Sequence, residues 1–164
     1  MIEVVAYNPQ WAKSFDGEAV PIKIALGERC LALHHIGSTA VPGQAAKPKI
    51  DILVVVPRFS EVDIIALENI SFESRGEIIP TGRFFSKRAT ERVLKVNLHL
   101  FEEDNPTISR NLLFRDWLRD HKEDREAYGK LKRRLATEHT DGMEYCRDKT
   151  AFINSIIDKA MENS

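Results

Sequence analysis

The seven residues from Ile50 to Val56 carry a single polar side chain, Asp51. A run this continuously apolar does not suit a strand with one wet face. It predicts a central strand covered on both faces and ended by Pro57. Strand alternation places Asp51, Leu53 and Val55 together on one of those faces. Leu31 to Ile36 reads as the strand before it. Arg92 to Phe101 reads as a later one, with Leu94, Val96, Leu98 and Leu100 toward a core and Val93, Lys95, Asn97, His99 and Phe101 on the other side. Ile2 to Ala6 is a short apolar run, a strand or an extended arm. Ser71 to Arg88, punctuated by Gly76, Pro80 and Gly82, reads as strand, loop and strand.

Elsewhere the period lengthens to that of helices. Asn8 as cap and Pro9 at the first helical position open a helix whose apolar face is Trp11, Phe15, Ala19, Ile22 and Leu26. Pro21 is expected to kink or divide it, and Trp11 to lie in the core. Ser60 is expected to cap a short helix through about Asn69, with Ser60 and Asp63 in capping-box spacing and Val62, Ile65 and Ala66 facing inward. From Ser109 onward the chain reads as helical, with Leu113, Trp117 and Asp120 on one line. Arg125 to Thr137 carries Tyr128, Leu131 and Leu135, and its Lys-Leu-Lys-Arg-Arg run reads as a solvated face. Gly142 punctuates, and a last helix from Met143 to about Met161 buries Phe152, Ile153, Ile156, Ile157 and Ala160. The prediction is an α/β (α+β) domain: a mixed sheet flanked by helices over about 1–105, and a helical part over about 109–164. A length of 164 residues fits one domain.

Composition narrows the function classes. A formal net charge of −1 offers no basic field for duplex nucleic acid or an anionic membrane. Cys30 and Cys146 are far apart and form no Cys-x-x-Cys pair, so free thiols in a reducing compartment are expected. The N-terminal residues lack an apolar signal core and no run approaches membrane-spanning length, so a cytoplasmic location is expected. Nothing in the sequence sets the oligomeric state.

The chemistry-bearing residues gather around that central strand. Gly37 can adopt positive φ and let backbone approach a ligand, and Ser38 and Thr39 supply hydroxyl donors. Backbone N–H groups after such a glycine can form an anion-binding nest. Asp51 is costly to bury unless paired, protonated or metal-bound. A phosphate cradle followed by a carboxylate at the head of the next strand provides the parts of a nucleotide–Mg²⁺ site. Lys47 is either a phosphate contact or a solvated loop lysine. Arg83 and Lys87, four apart, share a strand face and either clamp phosphates or belong to an exposed edge strand; Phe84 or Phe85 could lie under a base. His34 and His35 point to opposite faces and read as satisfied strand residues. His99, on the polar side of its strand, reads as functional.

The blocks HIGSTAVPG (His35 to Gly43), AKP (Ala46 to Pro48) and IDILV (Ile50 to Val54) together resemble the signature of the GrpB family, within the nucleotidyltransferase-like superfamily. Tyr7…Pro9…Trp11, RGE at Arg75, RFFSK at Arg83, RDWLRDH at Arg115, YGKLK at Tyr128 and Tyr145…Lys149…Phe152-Ile153 extend the resemblance over nearly the whole chain. It implies a Gly-Ser pair that ends one strand and opens a helix. On the next strand it implies metal-binding carboxylates as Asp-x-Asp or Asp-x-Glu; here Leu53 takes the second position. A third carboxylate of catalytic superfamily members is replaced in GrpB-type chains by histidines, of which this chain keeps His99. The function so implied is Mg²⁺-dependent binding of a nucleotide or another phosphorylated small molecule, with nucleotidyl or phosphoryl transfer to an unidentified acceptor. In it Ser38 and neighbouring backbone hold phosphate, Asp51 ligates Mg²⁺, and Lys47, Arg83 and Lys87 neutralise charge. His99 is a general base or a hydrogen-bond partner of Asp51. Two alternatives stand beside it. One is a non-catalytic ligand-binding or CoA-linked accessory module, since the family includes fusions to dephospho-CoA kinase and Leu53 removes a metal ligand. The other is a structural or partner-binding domain.

Overall fold

The computed structural model describes residues 3–77, 82–138 and 142–163, with the side chains of 142–144 and 146 outside that description. The readings that involve Ile2, Pro80 and the Cys146 thiol therefore lie outside the described residues. The chain divides into two compact units, one formed by Gln10–Ile36 and Lys49–Ile108, the other by Met1–Pro9, Gly37–Pro48 and Ser109–Ser164.

The first unit is built on a five-stranded mixed sheet. Its strands are β1 (Ala32–Ile36), β2 (Lys49–Val56), β3 (Glu73–Ser74), β4 (Gly82–Lys87) and β5 (Lys95–Glu102), in the order β1-β2-β5-β4-β3. β2 pairs antiparallel with β1 and parallel with β5, which makes the Ile50 to Val56 run the centre of the sheet. All six of its apolar residues are buried. β5 starts at Lys95, three residues later than its apolar pattern suggests. Thr90 closes a turn just before it, its N–H donating to the Val93 carbonyl while its hydroxyl accepts from the N–H groups of Arg92 and Val93.

Two helices, α1 (Gln10–Leu26) and α2 (Glu61–Glu68), belong to this unit. α1 begins one residue after Pro9 and runs unbroken through Pro21, so the expected division does not occur. A proline inside a helix costs about 3 kcal/mol. Trp11 and Ala19 before it and Ile22 and Leu26 after it are all buried, and each large apolar side chain returns roughly 1.5–3 kcal/mol, enough to carry the helix across. α2 is capped as expected, the Ser60 hydroxyl accepting the Val62 N–H at 3.3 Å. Its inward face is different. Asp63 is buried and held by Arg29, whose Nε and Nη2 lie 2.6 and 2.8 Å from its two oxygens. A buried carboxylate requires such a partner. Asp63 and Leu67 therefore point inward, and Val62 and Ile65 are left 63% and 58% exposed.

The second unit is helical: α3 (Thr107–Asp120) from Ser109 onward, α4 (Lys122–Glu138) and α5 (Gly142–Glu162). Val41, Phe114, Leu118, Tyr128, Ile156 and Ile157 form its core, with Trp117, Leu131, Phe152 and Ile153 packed around them. The Tyr128 ring meets Phe114 edge-on at 5.4 Å and stacks on Phe152 at 5.2 Å. The buried line of α3 is thus Phe114–Leu118, one residue round from the expected Leu113–Trp117. Trp117 sits at the margin because its indole N–H donates to Asp124 at 2.8 Å. Val5 bridges to Ala46, the described part of the expected N-terminal arm. Among the described residues no helix is long and apolar enough to cross a membrane.

Candidate functional site

Strand register sorts the candidate residues of the sheet unit. Asp51 lies beside Asn97 on β5, and Leu53 beside His99; on β4, Ser86 and Phe84 continue the same rows. Lys49, Asp51, Leu53, Asn97, His99 and Phe84 therefore share one face of the sheet. On that face the Lys49 ammonium and the His99 Nε2 each lie 3.9 Å from Asp51 Oδ1. Phe84 and Phe101 flank the His99 ring, at centroid distances of 5.2 and 6.5 Å. Burial opposes ionisation of Asp51. Lys49, His99 and the Asn97 amide together outweigh it and hold the carboxyl below the usual carboxylate range.

Two acceptors stand out on this face. One belongs to the Asp51 carboxylate. The other is Asn97 Oδ1, which is buried with no hydrogen-bond partner among the described residues. A buried acceptor left unsatisfied is costly, and a bound ion or its water would relieve it. Mg²⁺ characteristically takes one or two protein oxygens and completes its octahedron with water and substrate phosphate, so the Asp51 carboxylate suits one Mg²⁺. It does not fit two. Among the described residues no group of three or more His, Cys, Asp or Glu side chains is placed to hold a metal, and Leu53, where a second strand carboxylate would stand, is 0% exposed.

Arg83 and Lys87 do not join this group. With Phe84 and Ser86 on the Asp51 face, alternation turns Arg83, Phe85 and Lys87 to the opposite one. There Lys87 forms an ion pair with Glu18 of α1, and the Arg83 guanidinium lies over the Phe59 ring at 5.1 Å. Phe85 is in the core, which leaves Phe84 as the aromatic beside His99. The two adjacent histidines also separate. His34 lies opposite Leu53 on the Asp51 face, and His35 is buried on the other with its ring stacked on Phe15 at 4.8 Å.

The Gly37 segment belongs to the helical unit. Gly37 has φ 74° and ψ −173°, a conformation that glycine adopts without steric cost. A single 3₁₀ turn, Ser38–Ala40, follows it in place of the helix that the resemblance implies. Its hydrogen bonds run from Ala40 N–H to Gly37 O and from Val41 N–H to Ser38 O, both 3.1 Å. Thr39 is buried, and Lys47 places its ammonium 4.2 Å from the Tyr145 ring centroid.

One residue of this unit departs from the sequence reading. Lys132, expected on a solvated face, is 2% exposed; its Nζ lies 2.7 Å from Ser38 Oγ and 4.4 Å from the centre of the Tyr128 ring. The signal for it is positional. Residues 128, 132 and 135 follow one another at i, i+4 and i+7, so Lys132 occupies the stripe of Tyr128 and Leu135 rather than the opposite face. Few lysines are buried without an electrostatic or ligand-binding reason.

The sequence matches the family described as GrpB protein over residues 1–159. The chain belongs to the GrpB family. The UPF0157 protein YqkA of Bacillus subtilis is 37% identical over 163 residues; the match takes in 97% of this chain but 47% of YqkA, so the chain spans about half the length of that relative. The crystal structure of the conserved protein GrpB from Enterococcus faecalis matches with a TM-score of 0.87 at 38% identity, over 98% of each chain. The Cid1 poly(U) polymerase, in its MgGTP-bound structure, matches with a TM-score of 0.53 over 78% of this chain and 42% of Cid1. At 10% identity that likeness speaks for the fold alone, and the GrpB chain has a nucleotidyltransferase-like mixed α/β fold.

Proposed function

We propose that this GrpB-family protein binds a nucleotide, or another phosphorylated small molecule, together with one Mg²⁺. The observation that carries the reading is the Asp51 carboxylate, with Lys49, Asn97 and His99 beside it, on one sheet face of a nucleotidyltransferase-like fold. In this reading Asp51 would hold the Mg²⁺, which would supply charge neutralisation to the phosphate. Phe84 offers a ring face to a base. His99 accepts the proton of an acceptor hydroxyl if transfer takes place, its position set by Phe84 and Phe101 on either side. Ser38 binds phosphate, with Lys132 as its charged partner and Lys47 as a further cation; Gly37 and Thr39 shape the turn. Arg83 and Lys87 have no part in this reading, because each is engaged on the far face of the sheet.

A second reading, ligand binding without transfer chemistry, is favoured by Leu53, since a two-ion phosphoryl transfer needs carboxylates that this strand lacks. Thermal denaturation with nucleoside triphosphates, CoA-type ligands and Mg²⁺ tests the main proposal. A ligand that binds only the native state raises Tm, and Mg²⁺ is expected to enlarge that rise. Asp51→Asn should remove the Mg²⁺-dependent part and leave a smaller metal-free part. No shift with any of these ligands at millimolar concentration, or a Mg²⁺ effect intact in Asp51→Asn, refutes the proposal.

A further inference from the structure

Lys49 was not among the residues that the sequence singled out, yet it is a charged neighbour of Asp51. The two sit two residues apart on β2 and so share a face, with Nζ 3.9 Å from Oδ1. Lys49 is 32% exposed at its side chain, so its ammonium is reachable from solvent and free to move on its four-carbon stem. On the other side of Asp51, Leu53 is closed off from solvent. The carboxylate thus has a cation at residue 49 and an apolar wall at residue 53. Among the described residues a second carboxylate completing a metal site is absent.

We propose that Lys49 is the resident counter-cation of this site. It neutralises Asp51 in the ligand-free protein, competes with free divalent ions for it, and turns its ammonium to a phosphate oxygen when a ligand arrives carrying its own Mg²⁺. The inference rests on the one-Mg²⁺ reading above and deepens it: the ligand class is a preformed Mg²⁺–phosphate complex, and the bare ion is a poor ligand. The charge arithmetic supports this. Asp51 brings −1 and Lys49 +1, so a dication entering alone meets no net negative charge and the repulsion of an ammonium a few ångströms away. A Mg²⁺–triphosphate complex carries net negative charge, which Lys49 attracts, and the same residue that repels the free ion then favours the complex.

The test compares the full chain with Lys49→Gln and Lys49→Arg by Mn²⁺ electron paramagnetic resonance titration, first with no nucleotide present. Lys49→Gln should bind Mn²⁺ on the order of tenfold more tightly than the parent, and Lys49→Arg about as weakly as the parent. Titration with ATP in EDTA should show Lys49→Gln binding several-fold more weakly, with affinity kept in Lys49→Arg. A Mn²⁺ affinity in Lys49→Gln no higher than in the parent overturns the proposal, as does unchanged metal-free ATP binding in a parent that binds it. Circular dichroism and Tm of each variant exclude misfolding as the cause. The Mn²⁺ arm uses no nucleotide, so it can succeed or fail independently of the nucleotide-binding reading.

Discussion

Leu53→Asp would restore the Asp-x-Asp pattern on β2, and the structure makes a definite statement about its outcome. Residue 53 shares the Asp51 face about 7 Å further along the strand, but it is 0% exposed and lies between His34 on β1 and His99 on β5 in the middle of the sheet. Removing a leucine side chain from such a position costs roughly 2–5 kcal/mol through lost transfer energy and the space left behind. A carboxyl group there adds roughly 1–3 kcal/mol if it is neutral and poorly bonded, and more if it is ionised. The sum, at least about 3–8 kcal/mol, takes most of the ~5–15 kcal/mol that holds an ordinary domain together. Urea denaturation at neutral pH of the parent, Leu53→Ala, Leu53→Asn and Leu53→Asp separates the contributions, since the first variant reports the space and the second the uncharged polar group. The expected order of stability is parent, then Ala and Asn, then Asp, with Leu53→Asp insoluble or non-cooperative and not rescued by Mn²⁺. A soluble Leu53→Asp protein within about 1 kcal/mol of the parent that binds Mn²⁺ more tightly would refute the reasoning: residue 53 would then face a hydrated cleft, and a two-ion site would be back within reach.

Three further outcomes follow from other parts of the molecule. Lys132→Met keeps the length of a buried side chain and removes its charge, so the protein should stay folded while the nucleotide-induced stabilisation falls by about 1–3 kcal/mol; an undiminished Tm shift would separate Lys132 from ligand binding. Asp124 is pushed up by burial but more strongly pulled down by the Trp117 indole N–H and the Lys159 ammonium, so its folded-state pKa is depressed. Its contribution to stability is present above the unfolded-state value of about 4 and is lost as pH falls through the lower folded-state value. Asp124→Asn should therefore flatten the acid limb of stability measured by urea unfolding between about pH 5 and 2, and an unchanged limb would count against the assignment. His99→Ala should weaken ligand binding and change stability by about 1 kcal/mol or less, because the ring is partly exposed; a large stability loss with binding intact would make it a packing residue.

Element types were readable wherever one physical demand dominated. A run as apolar as Ile50 to Val56 can be satisfied only by cover on both faces, and it became the central strand. Ser60 capped α2 because a local hydroxyl–amide contact depends on its neighbours alone. Trp11, Ala19, Ile22 and Leu26 were buried as their spacing required. Family membership was carried by short blocks such as HIGSTAVPG and IDILV, which are a property of the sequence itself.

What remained undecided depended on partners distant along the chain. Asp63 looked like a capping residue until Arg29, 34 positions earlier, drew it inward and turned α2 so that Val62 and Ile65 faced solvent. Lys132 looked solvated because a run of basic residues usually is, but Ser38, 94 positions away, and the Tyr128 ring gave its ammonium a buried place. Arg83 and Lys87 were rightly paired on one strand face, but only the register of β4 against β5 decided that the face was not that of Asp51. Lys49 and Asn97 became neighbours of Asp51 in the same way, one along its strand and one across the parallel pairing with β5. Periodicity says which residues share a face. Which two faces meet, and which charge finds which partner, is set by strand pairing and long-range packing, whose free energy belongs to the assembled fold.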